Sequence, residues 1–382
     1  METVVVGGGI VGLSSAYYLA SRGADVTVYE KGSLGGGSTG RSVGGIRTQF
    51  STRVNVELSL ASLETWERFA AEFGVDVAFR RTGYLFLARE AATAETFREN
   101  VALQRDLGVP VEYLARDDLS TRCGALRTDR FVAGTYCPTD GFADPALALR
   151  GYERAARDAG VEIHTGTPVT DVFRDGERVT GVATPDGRHA VDVVVNAAGP
   201  WAADVAAMAG LDLPVAPRRR QVLVVDPADP VPEDDPLTID LDTGLYFRPE
   251  RDGAALVGGH FGGPDPDADP DAYGTDADLA WTKEALERAA DAATYFGPET
   301  RVRDGWAGLY AVTPDHHPIV GETVPGLVNA VGFSGHGFQH APATGCLVAE
   351  LVHDGAASLV DVSRLAADRF EGGGTADEYN VA

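Results

Sequence analysis

Lysine is almost missing from this chain of 382 residues: only Lys31 and Lys283 occur, so arginine supplies nearly all of the 32 basic side chains. Acidic residues number 57, which leaves a formal net charge of −25. That balance excludes a nucleic-acid partner, because the phosphate backbone would be repelled. An acidic, lysine-poor surface suits a cytoplasm of molar salt, where screening removes self-repulsion, and a salt-adapted organism is the expectation. Cysteine is scarce as well. Cys123, Cys137 and Cys346 show no Cys-x-x-Cys spacing, which excludes a disulfide framework and points to reduced thiols in the cytoplasm. No apolar run reaches the length of a membrane span, and the opening residues pass straight into a strand pattern, so no secretory signal is expected. His316, His317, His336 and His340 lack a cysteine or carboxylate at ligand spacing, and no metal is expected. Asp265, Asp267 and Asp269 imitate a calcium loop, but Pro270 stands where such a loop needs glycine.

Glycine, by contrast, is abundant at 46 residues, and it is placed with purpose. "TVVVGGG", "IVGLSSAYYLASRG" and "DVTVYEK" read as strand, helix and strand. Within them Gly7, Gly9 and Gly12 form G-x-G-x-x-G, and Glu30 ends the second strand. The first glycine permits a tight turn, the second lets backbone approach a pyrophosphate, and the third lets helix pack on strand. Phosphates then lie at a helix N-terminus while the acid reaches a ribose hydroxyl. A dinucleotide site follows.

Further along, spacing predicts a helix over 52–74 through Val56, Leu60, Leu63, Trp66, Ala70 and Phe73, with Gly74 as its stop. Strands are expected at 83–88 and 131–138, a helix at 145–159, strands again within 216–262, and a helix at 278–295. The pattern crosses between two units several times, and no internal repeat is visible. Near the C-terminus "GFSGHGFQHAPATG" (332–345) packs four glycines and two histidines just before an apolar helical stretch. Backbone without side chains lets a flat ring lie close, and the helix that follows would aim its N-terminal amides there. Pro342 fits the preference of proline for a first helical turn.

Four blocks, "VVVGGGIVGLSSAYYLASRGADVTVYEK", "GSTGRSVGGIRTQF", "VVNAAGPW" and "GLYAVTPDHHPIVGE…GFSGHGFQHAPATG", occur in order over nearly the whole chain. Together they resemble the D-amino-acid oxidase superfamily of FAD enzymes, in particular monomeric sarcosine oxidase and the flavin subunits of sarcosine oxidase and dye-linked proline dehydrogenase. The resemblance implies an α/β fold: a Rossmann-like FAD-binding domain (1–76, 144–210 and 302–382) interleaved with a mixed-sheet α+β substrate domain (77–143 and 211–301). It implies FAD contacts from Gly7, Gly9, Ile10, Gly12, Glu30, Lys31, Ser38, Thr39, Arg41, Ser42, Val169, Ala198, Gly199, Trp201, Gly308, Gly335, His336, Gly337, Phe338 and Gln339. Arg47 falls at the family's carboxylate-binding arginine, and a guanidinium fork is the natural partner of a carboxylate. Tyr310 and His260 fall at active-site positions, with Tyr246 and Arg248 as weaker candidates for the pocket wall and a second anchor.

The departures from the family pattern carry information too. Gln339 replaces the lysine of "GHGFK", so a second carboxylate contact becomes neutral. Gly308 replaces the cysteine that links flavin covalently, which implies noncovalent FAD. Leu256 aligns with the lysine that activates oxygen. The resemblance therefore implies oxidation of a small secondary or N-methylated amino acid by hydride transfer to FAD, giving an imine that hydrolyses. The electron acceptor would be oxygen, a dye, a quinone or an electron-transfer protein. Two alternatives stand beside it: a 2-hydroxy-acid dehydrogenase in which His260 takes the proton, and a flavin subunit that relays electrons within a heteromeric complex.

Overall fold

Valine-rich runs with no polar alternation fit parallel strands buried on both faces. In the computed structural model, which describes residues 1–263, 265–371 and 377–380, such runs form the middle of a six-stranded sheet. Its order is Ile319–Val324, Leu327–Val331, Val193–Asn196, Glu2–Val6, Asp25–Glu30 and Glu162–Thr165. Neighbours are parallel except for the antiparallel pair at the 319–331 edge.

The helices are α1 (Ile10–Ser21), α2 (Arg53–Phe73), α3 (Ala91–Asp106), α4 (Pro145–Asp158), α5 (Ala202–Met208), α6 (Leu279–Ala292) and α7 (Gly337–Asp354). Leu13, Leu19, Trp66, Phe69, Tyr152 and Val348, from α1, α2, α4 and α7, build the core against one face of this sheet. A small three-stranded sheet (Asp171–Asp175, Arg178–Thr184, Gly187–Ala190) and α5 close the other.

The second sheet has eight strands, in the order Arg301–Val312, Ala216–Asp226, Ala255–Gly259, Leu245–Pro249, Leu237–Asp240, Tyr84–Ala88, Ala133–Cys137 and Glu112–Ala115. It is mixed: Leu237–Asp240 and Tyr84–Ala88 run parallel while the other pairs are antiparallel. The α/β expectation with a mixed second sheet is what the chain adopts.

Helix ends fall as expected where local chemistry is strong. Helix α2 ends against Gly74, whose φ of 67° is the left-handed cap. Pro145 opens α4, where the Asp144 carboxylate accepts from the amides of Ala146 and Leu147.

Several details differ. The buried stripe of α2 runs through Phe69 and leaves Ala70 exposed, because the helix packs a ring stack of Trp66, Phe69 and Phe73 inward. Helix α3 is present although its alanine-rich sequence carries only a thin apolar stripe, Ala94, Phe97 and Val101. Pro342 lies in the interior of α7, beyond its first turn, because the helix already starts at Gly337. The strand Arg301–Val312, which the sequence division assigns to the cofactor part from 302 onward, pairs along its length with Ala216–Asp226 and so belongs to the eight-stranded sheet. Residues 372–376 and 381–382 of that same division lie outside the described residues.

Candidate active site

The glycine fingerprint makes a crossing of two chain segments. A Cβ on Gly12 would lie 2.0 Å from the Gly7 carbonyl oxygen, and one on Gly7, at φ 110°, would lie 2.5 Å from that of Ala197. Only hydrogen fits there. Glu30 closes the turn from the next strand: its carboxylate accepts from the Gly8 amide at 2.8 Å and the Gly32 amide at 2.7 Å. The Thr39 hydroxyl accepts from the Ile10 amide at the start of α1.

From this turn a continuous cavity of about 650 Å³ runs to the face of the eight-stranded sheet. Every residue that the resemblance assigned to FAD lines it except Gly12, which instead packs α1 against the strand. Lys31 pairs with Asp271 and lies 3.9 Å from the Trp201 ring centroid. Arg41 donates to the Ala307 carbonyl, while its Nε is buried without a partner. Such an orphaned cationic donor suits an anionic group on a ligand. A glycine cradle at a helix N-terminus, an acid at the second strand end and a free guanidinium N–H along one elongated cavity fit a dinucleotide such as FAD.

At the far end, alternation along the strands decides which side chains face the cavity. Tyr84, Leu237, Ile239, Tyr246, Arg220, Val222, Gly308 and Tyr310 all line it. Gly335 approaches Tyr310 so closely that a Cβ there would lie 2.2 Å from the ring. The missing side chain thus makes room for a tyrosine as well as for a ligand. Burial raises the pKa of Tyr84, Tyr246 and Tyr310, so each is a neutral phenol that can donate or accept.

Arg47 is 8% exposed and forms part of the wall. Its Nη1 donates to the Gln49 carbonyl at 2.7 Å and its Nη2 to that of Asn380. The guanidinium carbon lies 3.9 Å from the Phe50 ring centroid. Burial lowers its pKa, and Tyr84, Glu378, Asp140 and Tyr310 oppose that shift. Gln339 is committed in another direction, because its Oε1 accepts the Arg47 backbone amide at 3.0 Å. The first residues of α7, Gly337 to Gln339, line the cavity.

Behind them a chain of polar contacts links His336 Nδ1 to His340 Nδ1 (3.2 Å) and His340 Nε2 to the Ser59 hydroxyl (2.8 Å). Burial, then Arg47, depresses His340 to about 3; His336 is pushed well below the usual imidazole range by burial, His340 and Arg47. Both rings are neutral at physiological pH.

The structure does not bring every candidate together. His260 is absent from the cavity lining; it sits beside Arg220 and Asp265, with its pKa lowered by burial and by Arg220. Arg248 is bound to Glu250 at 3.0 Å and lies over the Phe142 ring. Leu256 is buried within the sheet opposite Arg248 and does not line the cavity. Among the lining residues that escape the sequence reading are Tyr84 and Arg220. Tyr84 could have been found from its two-residue spacing to Phe86. Arg220 could not, because three consecutive arginines hide which of them faces inward. Arg220 lines the cavity 5.5 Å from the Tyr310 ring centroid and holds Asp265 through two contacts of 2.9 Å.

The model of the DAO family, described as FAD dependent oxidoreductase, matches residues 2–351. The chain belongs to this family of FAD-dependent oxidoreductases. It is 33% identical to FAD-dependent oxidoreductase domain-containing protein 1 of Xenopus laevis, over 97% of this chain and 82% of that protein. It is 28% identical to sarcosine oxidase subunit beta of an Arthrobacter species, over 100% of this chain and 94% of that one. Among solved structures, L-proline dehydrogenase from P. horikoshii superposes with a TM-score of 0.88 at 33% identity, covering 97% of this chain and 98% of that one. As an FAD-dependent oxidoreductase of this family, the protein has FAD as its implied cofactor. Among the described residues no helix is long and apolar enough to cross a membrane.

Proposed function

We propose that the protein oxidises a small amino acid, secondary or N-methylated, with noncovalently held FAD. Arg47 carries this reading. It is a buried guanidinium in a cavity wall, its two protein acceptors are carbonyls, and it forms no ion pair among the described residues. A cation desolvated in this way wants an anionic partner, and an amino acid's carboxylate supplies one. The names of sarcosine oxidase subunit beta and L-proline dehydrogenase support the same substrate class.

FAD, when bound, supplies the hydride acceptor. Residues of the chain do the rest: Arg47 takes the carboxylate, Tyr246 and Tyr310 offer neutral hydroxyls to the amine without a competing charge, and the apolar wall of Val222, Leu237 and Ile239 excludes water. Gln339, already bonded to the Arg47 backbone, supports the anchor. The 2-hydroxy-acid alternative depends on His260, which stands outside the cavity lining. Flavin bleaching under anaerobic conditions across sarcosine, L-proline and other small amino acids is the test; bleaching by 2-hydroxy acids alone would overturn the reading.

The FAD is expected to be released by acid. Gly308 leaves no sulfur at the linking position, a Cβ there would already lie 2.9 Å from Arg41, and Cys123, Cys137 and Cys346 do not line the cavity. Acid precipitation should leave yellow flavin in the supernatant, and a pellet that stays yellow after washing would contradict this.

The same proposal includes a cytoplasm rich in salt. With a net charge of −25, self-repulsion weakens as the Debye length falls from about 10 Å at 0.1 M to about 3 Å at 1 M. The expected result is a Tm that rises from about 0.1 M to about 3 M KCl. A flat or falling Tm over that range would remove salt adaptation from the reading.

A further inference from the structure

We propose that the C-terminal segment 377–380 is a positioning element for the substrate's carboxylate, acting by holding the Arg47 guanidinium in place; the carboxylate itself rests on the functional reading above. Glu378 is fully buried, and its carboxylate is surrounded by donors at the start of α2. Oε1 accepts from the Ser51 amide at 2.7 Å, the Ser51 hydroxyl at 2.5 Å and the Asn380 amide at 3.1 Å. Oε2 accepts from the Thr52 hydroxyl at 2.8 Å and Asn55 Nδ2 at 3.0 Å. A residue more than 300 positions away thus anchors the turn that leads into α2, through Ser51, Thr52 and Asn55, beside a helix end whose dipole favours negative charge.

From this fixed point the chain continues to Asn380, also buried. Its side chain is held by the Gln49 carbonyl at 3.2 Å and by Asn100 Nδ2 at 3.4 Å. Its carbonyl takes one N–H of Arg47 Nη2. At its other end the segment is tied down as well. The Glu378 amide donates to the Asp315 carbonyl at 3.0 Å, and the Asp315 carboxylate is locked to Arg369 at 2.8 Å.

Neither Glu378 nor Asn380 lines the cavity, whereas Arg47 does. The segment therefore supports Arg47 from behind and does not compete with a ligand. Two of the five guanidinium N–H groups are spent on Gln49 and Asn380, and the Phe50 ring lies against the guanidinium. The remaining donors are held in one orientation. A fork so constrained binds a carboxylate without first losing its own rotamer freedom.

The experiment compares the wild-type holoenzyme with Glu378→Ala and with Asn380→Ala, which spares the Glu378 contacts to Ser51, Thr52 and Asn55. With L-proline, Glu378→Ala should raise KM about tenfold while kcat and bound FAD stay within about twofold. The neutral amide L-prolinamide should be handled as by wild type, which a general loss of structure would not allow. Asn380→Ala should shift KM in the same direction by a smaller factor. A second readout needs no turnover: modification of Arg47 by phenylglyoxal, followed by mass spectrometry of its peptide, should run several-fold faster in both variants. Equal modification rates, or equal loss with proline and its amide, would overturn the proposal. If wild type bleaches with no amino acid, the substrate reading fails and the modification rates alone decide the role of the segment.

Discussion

Arg47→Ala is expected to lower kcat/KM for the best amino-acid substrate by more than tenfold, mainly through KM. Truncating one side of a buried charge-assisted pair costs about 2–5 kcal/mol. At about 1.4 kcal/mol per tenfold this corresponds to a loss between roughly thirtyfold and several thousandfold. The contact is made to the ground state and the transition state alike, so it registers as binding. FAD content should stay normal, because the substitution leaves the backbone amide that Gln339 accepts and the glycine turn at Gly7 in place.

Arg47→Lys is the sharper variant. It keeps the charge, but an ammonium cannot serve the carbonyls of Gln49 and Asn380 and still present a planar fork to a ligand. A substantial loss is expected there too. Unchanged kinetics in both variants would move the anchor to Arg220, the other arginine in the sheet-side wall, and not to Arg248, which does not line the cavity.

Reduced wild-type enzyme is expected to react slowly with dioxygen and fast with a dye or quinone. Dioxygen gains negative charge with its first electron, and a fixed cation nearby in a dry site stabilises that charge; loss of one such preorganised donor typically costs about 10²–10³ in rate. Sequence alignment alone ties this expectation to Leu256, but the structure shifts the argument to Arg220. Leu256 lies in the sheet opposite Arg248 and outside the cavity. A lysine there would bring a second cation against a buried guanidinium, so Leu256→Lys should destabilise the fold before it helps oxygen.

Arg220 does line the cavity, but Asp265 grips it through both of its η nitrogens. The neighbourhood is thereby close to neutral. Asp265→Asn, which frees that charge, should accelerate reoxidation by oxygen tenfold or more with little change toward a dye. Stopped-flow mixing of substrate-reduced enzyme with air-saturated buffer measures both. Oxygen reoxidation that keeps pace with turnover in wild type would overturn the assignment.

How much of this was legible beforehand depended on the distance over which each feature is decided. The Gly7–Gly12 contact, the cap at Gly74 and Asp144 ahead of Pro145 are each settled by backbone geometry within a few residues of one strand or helix end. Their physical reason is already present in the residue types: only glycine tolerates the crossing, and only a short polar side chain reaches back to a free amide. The dinucleotide-type cavity wall was therefore readable, and all of its named positions but Gly12 line the cavity.

Other features are settled by pairing between segments far apart in the chain. Register decides that Arg220, beside Gly308, faces the cavity, and no property of three successive arginines could choose among them, since one step along a strand reverses the face. Pairing with Ala216–Asp226 draws Arg301–Val312 into the second sheet. Tertiary packing also removes Leu256 from the wall and leaves His260 outside it. The support of Arg47 by Glu378 and Asn380 belongs to the same class. Acids and amides near a C-terminus look like any solvated tail, and only the folded chain places them beside the start of α2, where burial and the donors of Ser51, Thr52 and Asn55 turn them into a fixed point.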